Sequence, residues 1–224
     1  GDFDFVNFGF SFRNINGVET RRFAPSHSFI LEEQEIFKNS LLIKDIYSSP
    51  CNKAYRRKFI IENNLKFPAV RANEDILFAC LVARCARRTL FSTEVIYYAS
   101  IRPGSTSRGI TVNNFVQTER SFVIAREAFK RDLESEEIYF HFDAHTAKVL
   151  SYLIYFAAGH MSSRLEFNEA SRCVDRIGLR RISGSKEALA LLPIKNRLMV
   201  KFTRCRFLFW LIVRPIVRLA RLTY

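Results

Sequence analysis

The first third of the chain alternates between short extended patterns and helical ones. Residues 3–10 (FDFVNFGF) alternate apolar positions with small or polar ones, which predicts a strand, and RNING at 13–17 predicts a turn. A second extended stretch near 21–31 precedes a helical pattern that runs from about Glu32 to Ile43. Strands and helices that alternate in this way predict an α/β arrangement.

Two further helical patterns follow. The segment from Lys53 to Asn63 predicts a helix, which is followed by a short extended segment, LKFP. The run NEDILFACLVARCARR predicts a helix that begins at Asn73, whose side chain is expected to cap the free amides. Residues 76–83 are almost wholly apolar, so this helix is expected to be buried.

The pattern changes near residue 110. Residues 89–101 predict two short strands and 102–109 a turn-rich loop, whereas the pattern beyond residue 112 is helical. The predicted later helices are 113–131, about 136–158 and 166–176, followed by shorter pieces. We therefore predict an α/β domain over 1–110 and an all-helical region over 111–224.

Acidic residues open the buried helix. Glu74 and Asp75 follow Asn73 and fall in the first turn, where the helix dipole favours ionised carboxylates. First-turn acids often serve only as capping chemistry. A carboxylate held there beside a cleft can also accept a proton from a hydroxyl nucleophile.

A succession of short motifs resembles the second half of family-2 glycosyltransferases. The motifs are SPCNKAYRRKFIIENNLKFP, then NEDILF, then VIYYASIRPGSTS, and they occur in the same order and at similar spacing as in that family. The resemblance covers about residues 1–110. It implies a partial GT-A fold, which is a Rossmann-like α/β sandwich, with Asp75 as the catalytic base of an inverting transfer and Glu74 beside it in the acceptor site.

The resemblance also implies substrates. The donor would be a nucleotide sugar, and the acceptor a polysaccharide or a lipid-linked glycan. The departing diphosphate needs positive charge or a metal ion to balance it. Arg102 and Ser105 in RPGSTS are candidates for contacts to the diphosphate or acceptor, and Lys53 is a weaker one. The alternative for Arg102 is a solvated arginine in a turn, and the alternative for Lys53 is a helix with one packed and one solvated face.

The donor-binding half of that family is not found in this sequence. A divalent metal ion, Mg²⁺ or Mn²⁺, is implied by the resemblance, but its ligands are not identified. Asp2-Phe3-Asp4 matches the family's Asp-x-Asp motif in letters only, because it opens an apolar strand instead of ending one. We therefore expect the chain to be a fragment, or to lack its donor site, and to be inactive alone.

The positive charge is concentrated in the tail. The formal net charge is +13, and residues 195–224 contain eight basic residues and no acidic one. Arginine mixed with Phe, Trp, Leu and Ile over 205–224 favours a helix that lies on an anionic membrane surface. A terminal helix packed on the body, with solvated arginines, is the alternative.

Other functions receive less support from the sequence. Nucleic-acid binding would suit the charge, but no nucleic-acid-binding motif is present. A catalytically inactive, partner-binding module remains an open alternative.

The five cysteines have no paired short spacing, which favours a reducing compartment. We predict a cytoplasmic location, peripheral at the inner face of a bacterial membrane. His141 and His145 have a zinc-compatible spacing but no HExxH motif.

Overall fold

The protein was analysed as a computed structural model of the 224-residue chain. The structure describes residues 2–42, 49–70, 73–100 and 111–222, with side chains up to residue 217. Contacts divide the chain into two compact units, the first with residues 1–69 and 73–106, the second with residues 70–72 and 107–224. The predicted boundary near residue 110 falls at the end of a segment that lies outside the described residues.

The first unit is built on a mixed sheet. Its strands are β1 (Phe5–Arg13), β2 (Glu19–Phe23), β3 (Phe29–Glu32), β4 (Lys53–Tyr55) and β5 (Arg88–Ser100). The order is β2-β1-β5-β3, and β4 also pairs with β1. Strands β1 and β5 are parallel and the other pairs antiparallel. A parallel pair requires a long crossover, and the helices of this unit lie within it.

Aromatic residues join these helices to the sheet. The helices are α1 (Gln34–Leu42), α2 (Arg57–Glu62) and α3 (Glu74–Cys85). Each contributes to one buried cluster with the sheet, and the largest members are Phe5, Ile36, Phe59, Phe78 and Phe91. Phe78, one turn after Asp75, is 5% exposed. The beginning of α3 is therefore fixed against the sheet.

Two local predictions for this unit are wrong. The segment predicted as one helix from Lys53 begins as β4, because residues 53–55 pair with the edge of β1, and only Arg57–Glu62 is helical. The two short strands predicted over 89–101 form one long strand, since β5 pairs with both β1 and β3. LKFP forms no strand. Pairing between distant segments overrides local propensity here.

The second unit is helical. Its helices are α4 (Val112–Ala128), α5 (Glu136–His160), α6 (Arg164–Ile177), α7 (Leu179–Ile182), α8 (Lys186–Ala190), α9 (Ile194–Phe202) and α10 (Arg206–Leu222). Helix α5 is central and packs against α6, α7, α8, α9 and α10. A Cβ atom at Gly159 would overlap Val217, so α5 and α10 approach closely at that glycine.

An ion pair with a buried carboxylate links α5 to α7. The side chain of Asp143 is 0% exposed. Its two carboxylate oxygens accept hydrogen bonds of 2.8 and 2.9 Å from the guanidinium of Arg181, which also donates to the Tyr139 hydroxyl. The predicted class, an α/β fold followed by an all-helical region, is confirmed.

Candidate active site

The carboxylates of Glu74 and Asp75 occupy the first turn of α3. Asn73 precedes them in a left-handed conformation (φ 60°) and forms no side-chain capping hydrogen bond, so the predicted side-chain cap is wrong. Asp75 is exposed and Glu74 is part-buried. The helix behind them is anchored in the core, which holds the exposed carboxylate on a rigid support.

The surroundings of Asp75 raise the pKa of its carboxyl group. Partial removal of water is the main cause, the neighbouring charge of Glu74 adds to it, and the positive charge of Lys53 opposes both. No salt bridge engages Asp75 within the described ranges. The carboxylate is therefore a stronger base than an ordinary surface aspartate and is accessible to a ligand.

Lys53 lies close enough to influence Asp75. It stands at the start of β4, opposite Asn7 of β1, and is only 9% exposed. Its ammonium donates to the Ser49 carbonyl oxygen at 2.7 Å and to Asn52 Oδ1 at 3.1 Å. Burial lowers the pKa of Lys53 to about 7, although nearby Cys51 and Asp75 act in the opposite direction.

Asparagines hold the Lys53 segment on the sheet. Asn52 is 1% exposed, and its amide donates to the Phe8 carbonyl oxygen and to Asn7 Oδ1. Ser49 Oγ accepts from the backbone N–H of Cys51 at 3.2 Å and caps the turn before β4. These bonds fix Lys53 within the protein rather than at a solvent-facing position.

The structure adds Cys51, Tyr55 and Tyr97 to the site. A hydrogen bond between the Tyr97 phenol and the Cys51 thiol is the main cause that raises the pKa of Tyr97. Burial raises the pKa of Tyr55, whose Oη is buried without a hydrogen-bond partner among the described residues. Both pKa values also respond to Asp75. Both tyrosines are thus neutral at neutral pH.

Sequence reasoning did not single out these three residues. All lie in runs that carry the resemblance, Cys51 and Tyr55 in SPCNKAYRRK and Tyr97 in VIYYASI. Their position in these runs was the sequence feature that could have identified them as site residues. Of the predicted residues, the structure brings Asp75, Glu74 and Lys53 together. Arg102 and Ser105 lie outside the described residues.

The acidic pair at the N-terminus is engaged by protein groups. The Arg56 guanidinium binds Asp2 Oδ1 at 2.6 Å and Asp4 Oδ1 at 2.5 Å. The other oxygen of Asp4 accepts from the backbone N–H groups of Arg87 and Arg88. Asp4 therefore joins the start of β1 to that of β5.

Metal ligands are not assembled in the described part of the chain. No group of three or more His, Cys, Asp or Glu side chains there could hold a metal ion. The ring nitrogen Nδ1 of His141 lies 2.8 Å from the Glu137 carbonyl oxygen, and His145 is buried beside Phe122. The ligands of the divalent metal ion that the resemblance implies therefore stay unassigned.

The lowered pKa of Lys53 predicts a pH-dependent stability. An unfolded lysine has a pKa near 10.4, so between about pH 7 and 10 the unfolded chain binds more protons than the folded one. The free energy of unfolding should rise with pH in this window, with at most about 1.4 kcal/mol per pH unit from this group. Urea unfolding followed by circular dichroism at pH 7, 8 and 9 measures the slope, and Lys53→Met should flatten it.

Lys58→Met is the matched control, because Lys58 is 74% exposed and lies in the same unit. For Lys58→Met, the free energy of unfolding should rise with pH at the same slope as in the unchanged protein. Equal slopes for Lys53→Met and the unchanged protein would contradict the lowered pKa.

The chain has a glycosyltransferase-like fold. No model of a known protein family matches the sequence, and no curated protein matches it. Among solved structures, the chain is similar to S. aureus TarS, a glycosyltransferase crystallised as fragment 1–349 in complex with UDP-GlcNAc. The TM-score is 0.56 at 18% sequence identity. The match covers 99% of this chain and 60% of the TarS chain.

Proposed function

We propose that this chain forms the acceptor side of an inverting glycosyltransferase, with Asp75 as the catalytic base. The enzyme transfers a sugar from a nucleotide-sugar donor to a hydroxyl group of a polysaccharide or lipid-linked acceptor. One observation carries the proposal: an accessible carboxylate of raised pKa, held on an anchored helix next to two neutral tyrosines. The similarity of the fold to TarS in complex with UDP-GlcNAc supports it.

The reaction needs a proton acceptor on the acceptor side. The acceptor oxygen attacks the anomeric carbon, the bond between that carbon and the diphosphate oxygen breaks, and the hydroxyl proton passes to Asp75. A carboxylate with a raised pKa is a better base while it stays ionised at neutral pH. Tyr97, whose side chain is exposed, is suited to orient the hydroxyl by a hydrogen bond.

The donor side of the proposal rests on residues that the structure does not describe. Arg102 and Ser105 stay candidates for contacts with the departing diphosphate. Mg²⁺ or Mn²⁺ stays a prediction without assigned ligands. The chain spans about 60% of the TarS chain that it matches, so the activity proposed is that of the protein in its full natural length.

Lys53 receives a different role from the one predicted. Its ammonium is buried and donates to Ser49 and Asn52, which leaves it poorly placed for a diphosphate. We propose that Lys53 is a positioning residue that keeps Asp75 ionised at neutral pH and below. Glu74 acts in the opposite direction.

Opposite shifts of the pH profile test this role. The substitution Lys53→Met removes a positive charge, so the pKa of Asp75 should rise. The acid limb of the kcat/KM profile should then move to higher pH. Without the negative charge in Glu74→Gln, the acid limb should move to lower pH. Profiles of kcat/KM against pH for both variants measure the shifts. Shifts in the same direction would contradict the electrostatic role.

The overall function is tested with a panel of nucleotide sugars. The protein in its full natural length is incubated with each donor, with and without oligosaccharide or polyol acceptors, and release of nucleoside diphosphate is measured. We expect release that depends on an acceptor with at least one donor. Absence of both release and nucleotide-sugar binding across the panel would refute the enzyme and favour a binding module.

A further inference from the structure

Helix α10 carries apolar side chains on two opposite faces. One face is buried in the helical unit, where the Trp210 ring packs 4.7 Å from the ring of Phe167 and Val217 packs at Gly159. The opposite face is about half exposed, and its members are Phe207, Leu208, Leu211, Ile212 and Ile216. Residues at this spacing share one side of a helix.

This second face is a continuous apolar surface. Its five members are each 47–53% exposed. Single exposed apolar residues are ordinary on soluble domains, but a contiguous apolar surface marks a site of interaction. The described part of the chain places nothing over it, and Leu211 and Ile212 lie at its centre.

Positive charge borders the apolar face. The Arg164 guanidinium lies 4.7 Å from the Phe207 ring centre, and the Arg214 guanidinium lies 4.2 Å from that of Trp210. The nearby carboxylate of Asp175 is paired with Arg206 at 2.7 Å. From residue 188 to the end of the sequence there are eight basic residues and no acidic one.

We infer that this face of α10 binds the surface of an anionic lipid bilayer. The apolar side chains enter the boundary between headgroups and acyl chains, and the arginines meet lipid phosphates. A second copy of the chain is a poor occupant, because it would bring two strongly basic tails together. The inference rests on this helix alone and is independent of the proposed catalytic role.

The helix is suited to lie on a bilayer rather than to cross it. Within the described ranges no helix is long and apolar enough to span a membrane. Pro215 lies inside α10 and has no N–H group, so the Leu211 carbonyl oxygen lacks its usual helical donor. Such a group is tolerated at headgroup depth, where water is present.

Vesicle binding tests the inference with a matched pair of variants. The full chain is sedimented with vesicles of phosphatidylcholine and phosphatidylglycerol, and with phosphatidylcholine alone. We expect binding to the anionic vesicles that weakens as salt is added. Leu211→Ser with Ile212→Ser should weaken this binding at least tenfold. Val123→Ser with Ile124→Ser, an exposed apolar pair on α4, should leave it unchanged.

A reporter tryptophan tests which face enters the lipid. Trp210 is the only tryptophan, so Trp210→Phe with Leu211→Trp leaves a single reporter on the exposed face. Brominated lipids in anionic vesicles should quench its fluorescence. They should not quench the control, Trp210→Phe with Val123→Trp.

Three outcomes would overturn the inference. The first is absence of binding to anionic vesicles. The second is binding that the substitutions at Leu211 and Ile212 leave intact. The third is a dimer, seen by sedimentation velocity, that those substitutions dissociate while vesicle binding is absent. That result would make the face a contact between copies of the chain.

Discussion

Replacement of Asp75 by Asn is expected to lower kcat for sugar transfer by about 10²- to 10⁴-fold, the range that general-base catalysis contributes. Asparagine keeps the size and the hydrogen-bonding shape of the side chain but cannot take up the acceptor proton. Because Asp75 is exposed at the end of α3, stability should change little. Initial rates of nucleoside diphosphate release with donor and acceptor, together with a thermal melt, measure both effects.

Glu62→Gln is the matched control for Asp75→Asn. Glu62 is an exposed carboxylate in the same unit, and among the described residues its ion-pair partner is Lys58 at 3.6 Å. This variant should retain full activity, since it removes one negative charge away from the site. Turnover by Asp75→Asn at the rate of the unchanged protein would remove Asp75 from the mechanism.

Replacement of Arg181 by Met is expected to lower the free energy of unfolding of the helical unit by about 3 kcal/mol, the lower end of the range for removal of one partner of a buried ion pair, because the Arg181 side chain is itself 49% exposed. The change leaves the Asp143 carboxylate buried, with the Arg126 guanidinium 3.9 Å away as the remaining charge. Urea unfolding followed by the fluorescence of Trp210, which lies in the same unit, measures the loss.

Arg176→Met provides the comparison for Arg181→Met. Arg176 forms an equally short ion pair with Glu119, and its side chain is 56% exposed against 49% for Arg181. The carboxylates differ, because the side chain of Glu119 is 27% exposed and that of Asp143 is 0% exposed. Water can hydrate the partner that remains, so the loss should be much smaller. Similar losses for the two variants would show that burial of Asp143 does not determine the effect.

Local patterns were enough to predict the elements that depend on neighbours in sequence. The apolar run after Asn73 predicts α3, and the acids in its first turn follow from the same pattern. The predicted helix over 136–158 is close to the observed α5, because a long amphipathic periodicity has few alternatives. The α/β class with a helical C-terminal region was predictable for these reasons.

The environment of Lys53 was not predictable from local pattern. Its burial depends on pairing between β4 and β1, in which Lys53 stands opposite Asn7. The hydrogen bond between Cys51 and Tyr97 likewise joins residues that are distant in sequence. The helical pattern of residues 53–63 therefore gave the wrong start of the element and no sign that Lys53 is buried.

A lysine that titrates near pH 7 makes ligand binding at this site a proton-linked event. Near neutral pH both the ammonium and the free amine are populated. A sugar bound over Asp75 would displace water and disfavour the charged amine further. Binding would then expel a fraction of a proton, and its calorimetric heat would depend on the ionisation enthalpy of the buffer.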